Sequence, residues 1–390
     1  MPEVFVQKAS ELLLKNDIGI GLKAGYYYPD FWVRDGLISS MGLSLSGDAR
    51  LEKIAKACIQ TAAKFQRFTG QMPNKVTPDG KKICFGEGGC IDSSLWYPIA
   101  AWNYFKSTKD LAFLKEHHKR VEHAMGWAIC LDQNSDWMIE TNFGSDWMDM
   151  LLRSGRVLYD NVLLYKALKD ADEINRFLGF EQKWGWIAEN LREHINMFLW
   201  PTQESLEEVR TRYGHTGLEK DVETVMSNEK GERNFYLAEL GFRTYDPRFD
   251  AFANTLAVLF DVAPKDRRKK ILDAIESELV NKPYPIKVLH PAISRYDPFW
   301  NFYFRWTDLP CLQEPGNFHN GGIWPFAGGF YIAALKKEKR PYERAFDSLV
   351  KSCEMENWRF PEWIGPDGKP GGSADQTWSA AMLIYAHFSK

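Results

Sequence analysis

Apolar residues recur at intervals of three and four along almost the whole chain, and that spacing confines it to folds built from packed helices. Leu51, Ile54, Cys58, Ala62 and Phe65 follow Asp48, a side chain suited to cap a helix start, and mark one buried stripe. Trp184, Ile187, Leu191 and Phe198 form a second, closed by Pro201; Ile271, Ile275 and Leu279 follow Pro264, and Tyr342, Ala345, Leu349 and Cys353 follow Pro341. Apolar or amphipathic stretches near 3–15, 35–45, 92–106, 109–130, 157–177, 233–242, 251–262, 322–336 and 375–388 bring the expectation to roughly thirteen helices. Convincing strand patterns are scarce. Stretches rich in Gly, Pro, Asn, Asp and Trp lie at 69–91, 133–156, 201–231, 281–321 and 357–374, and long loops in a compact chain tend to carry function.

No flexible linker or charge block divides the 390 residues, so a single catalytic-size domain over 1–390 is expected. About twelve helices with elaborate loops between pairs fit an all-α (α/α)6 barrel, in which inner and outer helices alternate and the loops at one end build a site. A solenoid is the rival, and the lack of a repeat of solenoid length counts against it.

Composition narrows the partners. The 49 Lys+Arg against 52 Asp+Glu leave a net charge of −3, which supplies no broad basic field for a nucleic acid. No apolar run reaches the length of a membrane span. Aromatic residues make up 14% of the chain, 15 of them Trp; flat, partly polar rings suit sugar faces, although most fill the core of any large fold. Cys58, Cys84, Cys90, Cys130, Cys311 and Cys353 are scattered without metal-ligand spacing, and chemistry that needs only water and two carboxyls implies neither metal nor cofactor. The opening MPEVFVQKASELLLKND reads as an amphipathic helix and not as a signal peptide, which with the unpaired cysteines gives a cytoplasmic expectation.

Five segments hold candidate chemistry. In Tyr26 to Gly36 an aromatic run that includes Trp32 delivers Arg34 and Asp35 to a helix start, a pair able to grip a sugar ring through its hydroxyls, or else a cap with a surface partner. Gly144 to Gly155 holds Asp146, Trp147, Asp149 and Arg153. A carboxyl buried there against aromatic surface stays protonated near neutrality and serves as a general acid, but either Asp is equally able to pair with Arg153, and spacing does not choose between them. Asn317 to Phe326 places His319, Asn320 and Trp324 beside two glycines, a close-approach loop or a plain tight turn. Phe360 to Gly372 restrains Glu362 between Pro and Trp, where it is suited to activate a water, and leads to Gln376 and Trp378. Asp92 opens a further apolar helix, either as a cap or as a site residue.

In order, FWVRDG, DWMDMLLRSG, HNGGIWP and FPEW with QTWS resemble the (α/α)6 glycosidases: the amylo-α-1,6-glucosidase part of glycogen-debranching enzymes, the alkaline/neutral invertases and, more distantly, trehalases and processing α-glucosidases. The resemblance spans about Tyr26 to Trp378. It implies inversion, with Asp149 as the acid because an Arg follows four residues later, Glu362 as the base, and Arg34, Asp35, His319, Asn320 and Trp324 around the sugar. The reaction expected is release of a terminal sugar, α-linked glucose foremost, from a small saccharide or glycoside. The alternatives are an invertase acting on sucrose and a non-catalytic saccharide-binding barrel; a homo-oligomer is left open. A water-admitting separation of roughly 6.5–9.5 Å between the two carboxyls is expected for inversion.

Overall fold

Outer and inner helices alternate along the chain. Outer α1 (Val4–Lys15) precedes inner α2 (Val33–Leu45), α3 (Ala49–Lys64) precedes α4 (Asp92–Thr108), and α5 (Leu111–Ile129) precedes α6 (Leu158–Leu178). After α7 (Gly185–Phe198) come two added helices, α8 (Gln203–Tyr213) and α9 (Leu218–Asn228), and then inner α10 (Ala251–Leu259). Outer α11 (Lys265–Ser277) and the short α12 (Trp300–Phe304) lead to inner α13 (Pro325–Lys337), outer α14 (Glu343–Trp358) and inner α15 (Thr377–Phe388). This computed structural model describes residues 3–86, 88–214, 216–229, 231–298, 300–304 and 314–390, the side chain of Phe302 excepted.

The ring closes because α2 packs on α4, α4 on α6, α6 on α10, α10 on α13, α13 on α15, and α15 again on α2. The inner helices α2 and α15 are enclosed on every face: all residues from Val33 to Ser44 of α2 and from Thr377 to Ala386 of α15 are buried, as a helix surrounded by others requires. Outer helices bury one stripe; α3 covers Leu51, Ile54, Cys58 and Ala62 and turns its charges outward. Glycine sets the closest approaches. A Cβ on Gly42 of α2 would lie 2.0 Å from the Ala381 carbonyl oxygen of α15, and one on Gly329 of α13 would lie 2.5 Å from that of Met382. One continuous hydrophobic cluster runs from Phe5 to Ala386, the all-α (α/α)6 architecture that the periodicity implies.

Strands are two or three residues long and serve the loops. β1 (Phe31–Trp32) pairs with β2 (Lys75–Val76), and β2 with β3 (Ile83–Cys84). β4 (Arg156–Val157) pairs with β5 (Glu239–Gly241), which turns back into β6 (Thr244–Asp246). β7 (Phe249–Asp250) pairs with β8 (Leu289–His290), and β9 (Trp363–Ile364) with β10 (Pro370–Gly371). Strands β1, β4 and β7 run directly into inner helices, so they fix how α2, α6 and α10 begin.

Two expectations are corrected. The stretch 233–242 is not a helix: Tyr236, Leu237, Ala238 and Leu240 are all buried, a short apolar run does not tell a helix from a buried extended segment, and its end, Glu239–Gly241, pairs as β5. The stretch 201–231 is not a bare loop, since α8 opens with a reciprocal cap between Thr202 and Ser205. Its helices bury only a few residues each, among them Leu206, Val209, Val222 and Val225, and that thin stripe is lost among the surrounding charges. Cys58, Cys90 and Cys353 are buried thiols and Cys84 and Cys130 are exposed, whereas Cys311 lies outside the described residues. No helix among the described residues is long and apolar enough to cross a membrane.

Candidate active site

The inner helices deliver their first turns to one end of the barrel. From there α2 presents Arg34 and Asp35, α13 is entered through Trp324, and α15 through Gln376 and Trp378; all five line a single cavity of about 200 Å3. Behind them the starts of α4, α6 and α10 contribute Asp92, Asp160 and Asp250. Carboxylates gather there for a physical reason: a helix N-terminus carries partial positive charge and unpaired N–H groups. The Asp250 carboxylate, for example, accepts the Ala253 N–H at 2.8 Å.

The loop between α5 and α6 separates the two aspartates that spacing left equal. Asp146 is buried; it accepts the Met148 N–H at 2.7 Å and Arg153 Nε at 2.8 Å. Arg153 also donates from Nη1 to Asp250 at 2.8 Å, which ties the loop to α10. Asp149 stands on the cavity side, open to it, together with Trp147 and Met150. Crowding by protein pushes its carboxyl up to about 6, with Arg34 opposing and Asp146 and Asp92 reinforcing the shift.

Glu362 enters from the loop between α14 and α15, just ahead of β9. Its Oε1 accepts the Tyr28 hydroxyl at 3.2 Å and its Oε2 the Ser373 N–H at 2.7 Å. Gly372 makes this seat possible: its φ is +68°, and a Cβ there would lie 2.2 Å from Oε2. Burial pushes the Glu362 carboxyl up to about 7 against these two hydrogen bonds, with Asp35 and Asp149 adding to the rise. Asp35 is likewise pushed up to about 7 by burial, opposed by Arg34, whose Nε lies 3.9 Å away and whose Nη1 lies 3.2 Å from Asp92.

Aromatic rings close the remaining wall. His319 stacks on Trp324 with centroids 5.3 Å apart, Trp147 meets both edge-on, and Trp378 stacks on Phe326 at 4.1 Å. Burial, with Arg153 and Arg34 nearby, holds His319 well below its usual range and therefore neutral. Among the described residues Trp147 Nε1, Trp378 Nε1, His319 Nδ1, Gln376 Oε1 and Arg34 Nε are buried without a hydrogen-bond partner. Donors and acceptors left so inside a cavity suit a ligand rich in hydroxyl groups.

The structure thus brings Trp32, Arg34, Asp35, Trp147, Asp149, His319, Trp324, Glu362, Gln376 and Trp378 to one cavity. Asp92, Asp146, Arg153 and Asn320 stand behind the lining: Asn320 is bound to the Ile293 backbone through Nδ2 at 2.9 Å and Oδ1 at 2.6 Å, and the others are held in ion pairs. None of the four lines that cavity. Tyr28, Met150 and Phe318 line the cavity as well. Sequence reasoning did not single them out, because three consecutive tyrosines give no sign of which ring turns inward. Clefts of about 530 and 620 Å3 open on the surface along α7, α8, α9 and α11, but surface charges line them and no candidate site residue reaches them.

Comparison with known proteins agrees with this fold. The family model described as amylo-alpha-1,6-glucosidase matches residues 5–385. Cytosolic invertase 1 of Oryza sativa subsp. japonica is 24% identical, with 92% of this chain and 71% of the relative covered. Probable alkaline/neutral invertase D of Arabidopsis thaliana is also 24% identical, with 92% and 74% covered. Among solved structures, a GH63 mannosylglycerate hydrolase from Thermus thermophilus, in complex with Tris and D-glycerate, superposes with a TM-score of 0.70 over 98% of this chain and 99% of its own, at 13% identity. That likeness concerns the fold.

Proposed function

The chain belongs to the amylo-α-1,6-glucosidase family and is a glycoside hydrolase, and from that premise we propose that it releases one terminal α-linked glucose from a small saccharide, with inversion, through Asp149 and Glu362. The observation that carries this reading is the placement of both carboxyls on one cavity of about 200 Å3, each raised toward neutrality, Glu362 by burial and Asp149, which stays open to the cavity, by the protein crowded around it. Two such groups hold a single proton between them around neutral pH. Glu362 carries the higher value of the two, so the reactive form is the minor one with that proton on Asp149, whose carboxyl then donates to the glycosidic oxygen as the anomeric C–O bond breaks. Glu362, ionised and aimed by Tyr28 and Ser373, takes a proton from the water that attacks the anomeric carbon from the opposite face. Arg34 and Asp35 hold the ring hydroxyls, and the aromatic wall packs on its carbon face.

A cavity of about 200 Å3 falls below the roughly 300–1,000 Å3 of pockets that enclose drug-sized ligands. It suits one ring at a chain end and not the middle of a polymer. The whole chain acts as one catalytic unit in this reading, in keeping with its continuous core. A cytoplasmic location is part of it, supported by the relative named cytosolic, although others are named mitochondrial or chloroplastic. The second reading is sucrose hydrolysis, favoured by the relatives named as invertases.

Incubation with sucrose, trehalose, maltose, isomaltose, nigerose, kojibiose and glucosylglycerate tests both. Glucose from a glucobiose supports the first reading. Fructose from sucrose with every glucobiose untouched transfers the assignment to the second.

A further inference from the structure

Strand β5 carries a carboxyl where its neighbours are apolar. Tyr236, Leu237, Ala238 and Leu240 fill the run, and Glu239 among them is only 4% exposed. Burying an acid is costly unless its oxygens find partners, and here both do. Oε2 accepts the Ser154 N–H at 3.1 Å, and Oε1 lies 3.3 Å from the Tyr303 hydroxyl of α12. The same hydroxyl lies 3.3 Å from Asp246 Oδ2 on β6. Asp246 is the charged member of the group, since its Oδ1 accepts both the backbone N–H and Nη1 of Arg248, at 3.0 and 2.9 Å.

A tyrosine has one proton to donate, so Tyr303 does not serve two carboxylates at once. The three groups agree when Glu239 is protonated: its O–H donates to the Tyr303 oxygen, Tyr303 donates to Asp246, and Arg248 ends the chain. Burial, reinforced by Asp246 and opposed by Arg153, pushes the Glu239 carboxyl up to about 8 and keeps that proton in place. Its other oxygen is left to accept from Ser154.

Ser154 belongs to the loop that carries Asp149. Thr141 and Gly155 close the neck of that loop, pairing through N–H and carbonyl at 2.8 and 3.0 Å. The limb that returns from Asp149, Leu151 to Ser154, has neither helix nor strand to stiffen it. Arg153 ties this limb to Asp250, and Ser154 ties it to Glu239. The neck presses on the same strand, where a Cβ on Gly155 would lie 2.8 Å from Gly241 Cα.

We propose that Glu239 is a positioning residue for the catalytic acid: it hangs the returning limb of the Asp149 loop on β5 and α12, and so keeps Asp149 where it meets the glycosidic oxygen. This rests on the hydrolase reading above and deepens it, because acid and base then have separate supports, Glu239 for the one and Tyr28 with Ser373 for the other. A displaced acid costs rate only where the leaving group needs a proton.

The test compares two substrates in the full chain. One is the best disaccharide of the panel above; the other is α-glucosyl fluoride, whose leaving group departs with little help from an acid. Glu239→Met removes the acceptor while filling the space. It is expected to lower kcat on the disaccharide by about tenfold or more with KM little changed, and to lose far less on α-glucosyl fluoride. Glu239→Gln offers a carbonyl to Ser154 and an N–H to Tyr303, as the protonated acid does, and is expected to keep the disaccharide rate. Tyr303→Phe, which cuts the chain on its far side, is expected to show the same substrate bias with a smaller loss, and it replaces Glu239→Met should that variant not fold. Equal losses on both substrates, no loss on the disaccharide, or a Glu239→Gln variant as impaired as Glu239→Met overturns the assignment. A wild-type chain inert toward both substrates overturns the hydrolysis of α-glucosides itself, and with it the role of Glu239.

Discussion

The two carboxyls at the centre of this site are held in opposite ways. Glu362 is gripped directly by neutral donors, the Tyr28 hydroxyl and the Ser373 N–H, which favour its ionised form. Asp149 is gripped indirectly: the strong pairing of its loop is given to Asp146, Arg153 and Asp250 in the layer behind, and Asp149 itself is left facing the cavity. A base has to be a carboxylate before the water arrives, so donors aimed at it serve the reaction. An acid has to keep its proton, so the rigid contacts that fix its position are better made by its neighbours.

This contrast predicts graded effects. The largest comes from the carboxyls: Asp149→Asn and Glu362→Gln each lower kcat on a disaccharide by on the order of 10^3-fold, with thermal melts near that of the wild type. They are distinguished by α-glucosyl fluoride, which needs little proton donation; it restores much of the activity of Asp149→Asn and none of that of Glu362→Gln. A reversed pattern would exchange the two roles. Next is Arg153→Met, which leaves Asp146 and Asp250 as unpaired buried charges and is expected to destabilise the fold by about 3–5 kcal/mol in urea titration, lowering kcat as the acid loop slackens.

Tyr28→Phe is milder. Loss of a donor to the Glu362 carboxylate raises that group's pKa further, and because Glu362 carries the higher of the pair's two values, the alkaline limb of the kcat/KM profile moves to higher pH by up to about one unit while the maximum falls. In the wild type the profile is a bell whose limbs follow the pair's raised values of about 6 and 7. An unmoved alkaline limb in Tyr28→Phe removes Tyr28 from the base's environment. The smallest effect concerns Glu239, which accepts the Ser154 N–H at 3.1 Å beside the acid loop and is pushed up to about 8 by burial, with Asp246 adding to the rise. A carboxyl raised in the folded state holds a proton that the unfolded chain has released, so stability falls as pH rises from the ordinary Glu range toward 8. Glu239→Gln is expected to flatten that decline in melts recorded across the range.

The barrel was legible because outer helices bury a single stripe and leave a period of three and four, while inner ones stand out as apolar stretches too long for a strand. The hairpin of β5 and β6 was not, since Tyr236 to Leu240 is buried throughout, Glu239 included, and a stretch buried on every side has no period to read. At the site, the segments that meet were legible from composition, because carboxylates, glycines and Trp concentrate in them. What sequence spacing could not supply was depth. Asp146 and Asp149 are three residues apart, yet one is locked in an ion pair and the other lines the cavity, and only the positions of Arg153 and Asp250 decide which. Tyr28 escaped notice for the same reason, as its hydroxyl finds a partner 334 residues away.

The central claim is a single displacement with Asp149 and Glu362 on opposite faces of the sugar, and the anomer of the first glucose released tests it most directly. Proton NMR during the first minutes of hydrolysis of an α-glucoside, before mutarotation, is expected to show β-glucose, and Asp149→Asn is expected to show almost none. First appearance of α-glucose, abolished by the same substitution, would contradict the account, because it would make the reaction a double displacement through a covalent intermediate.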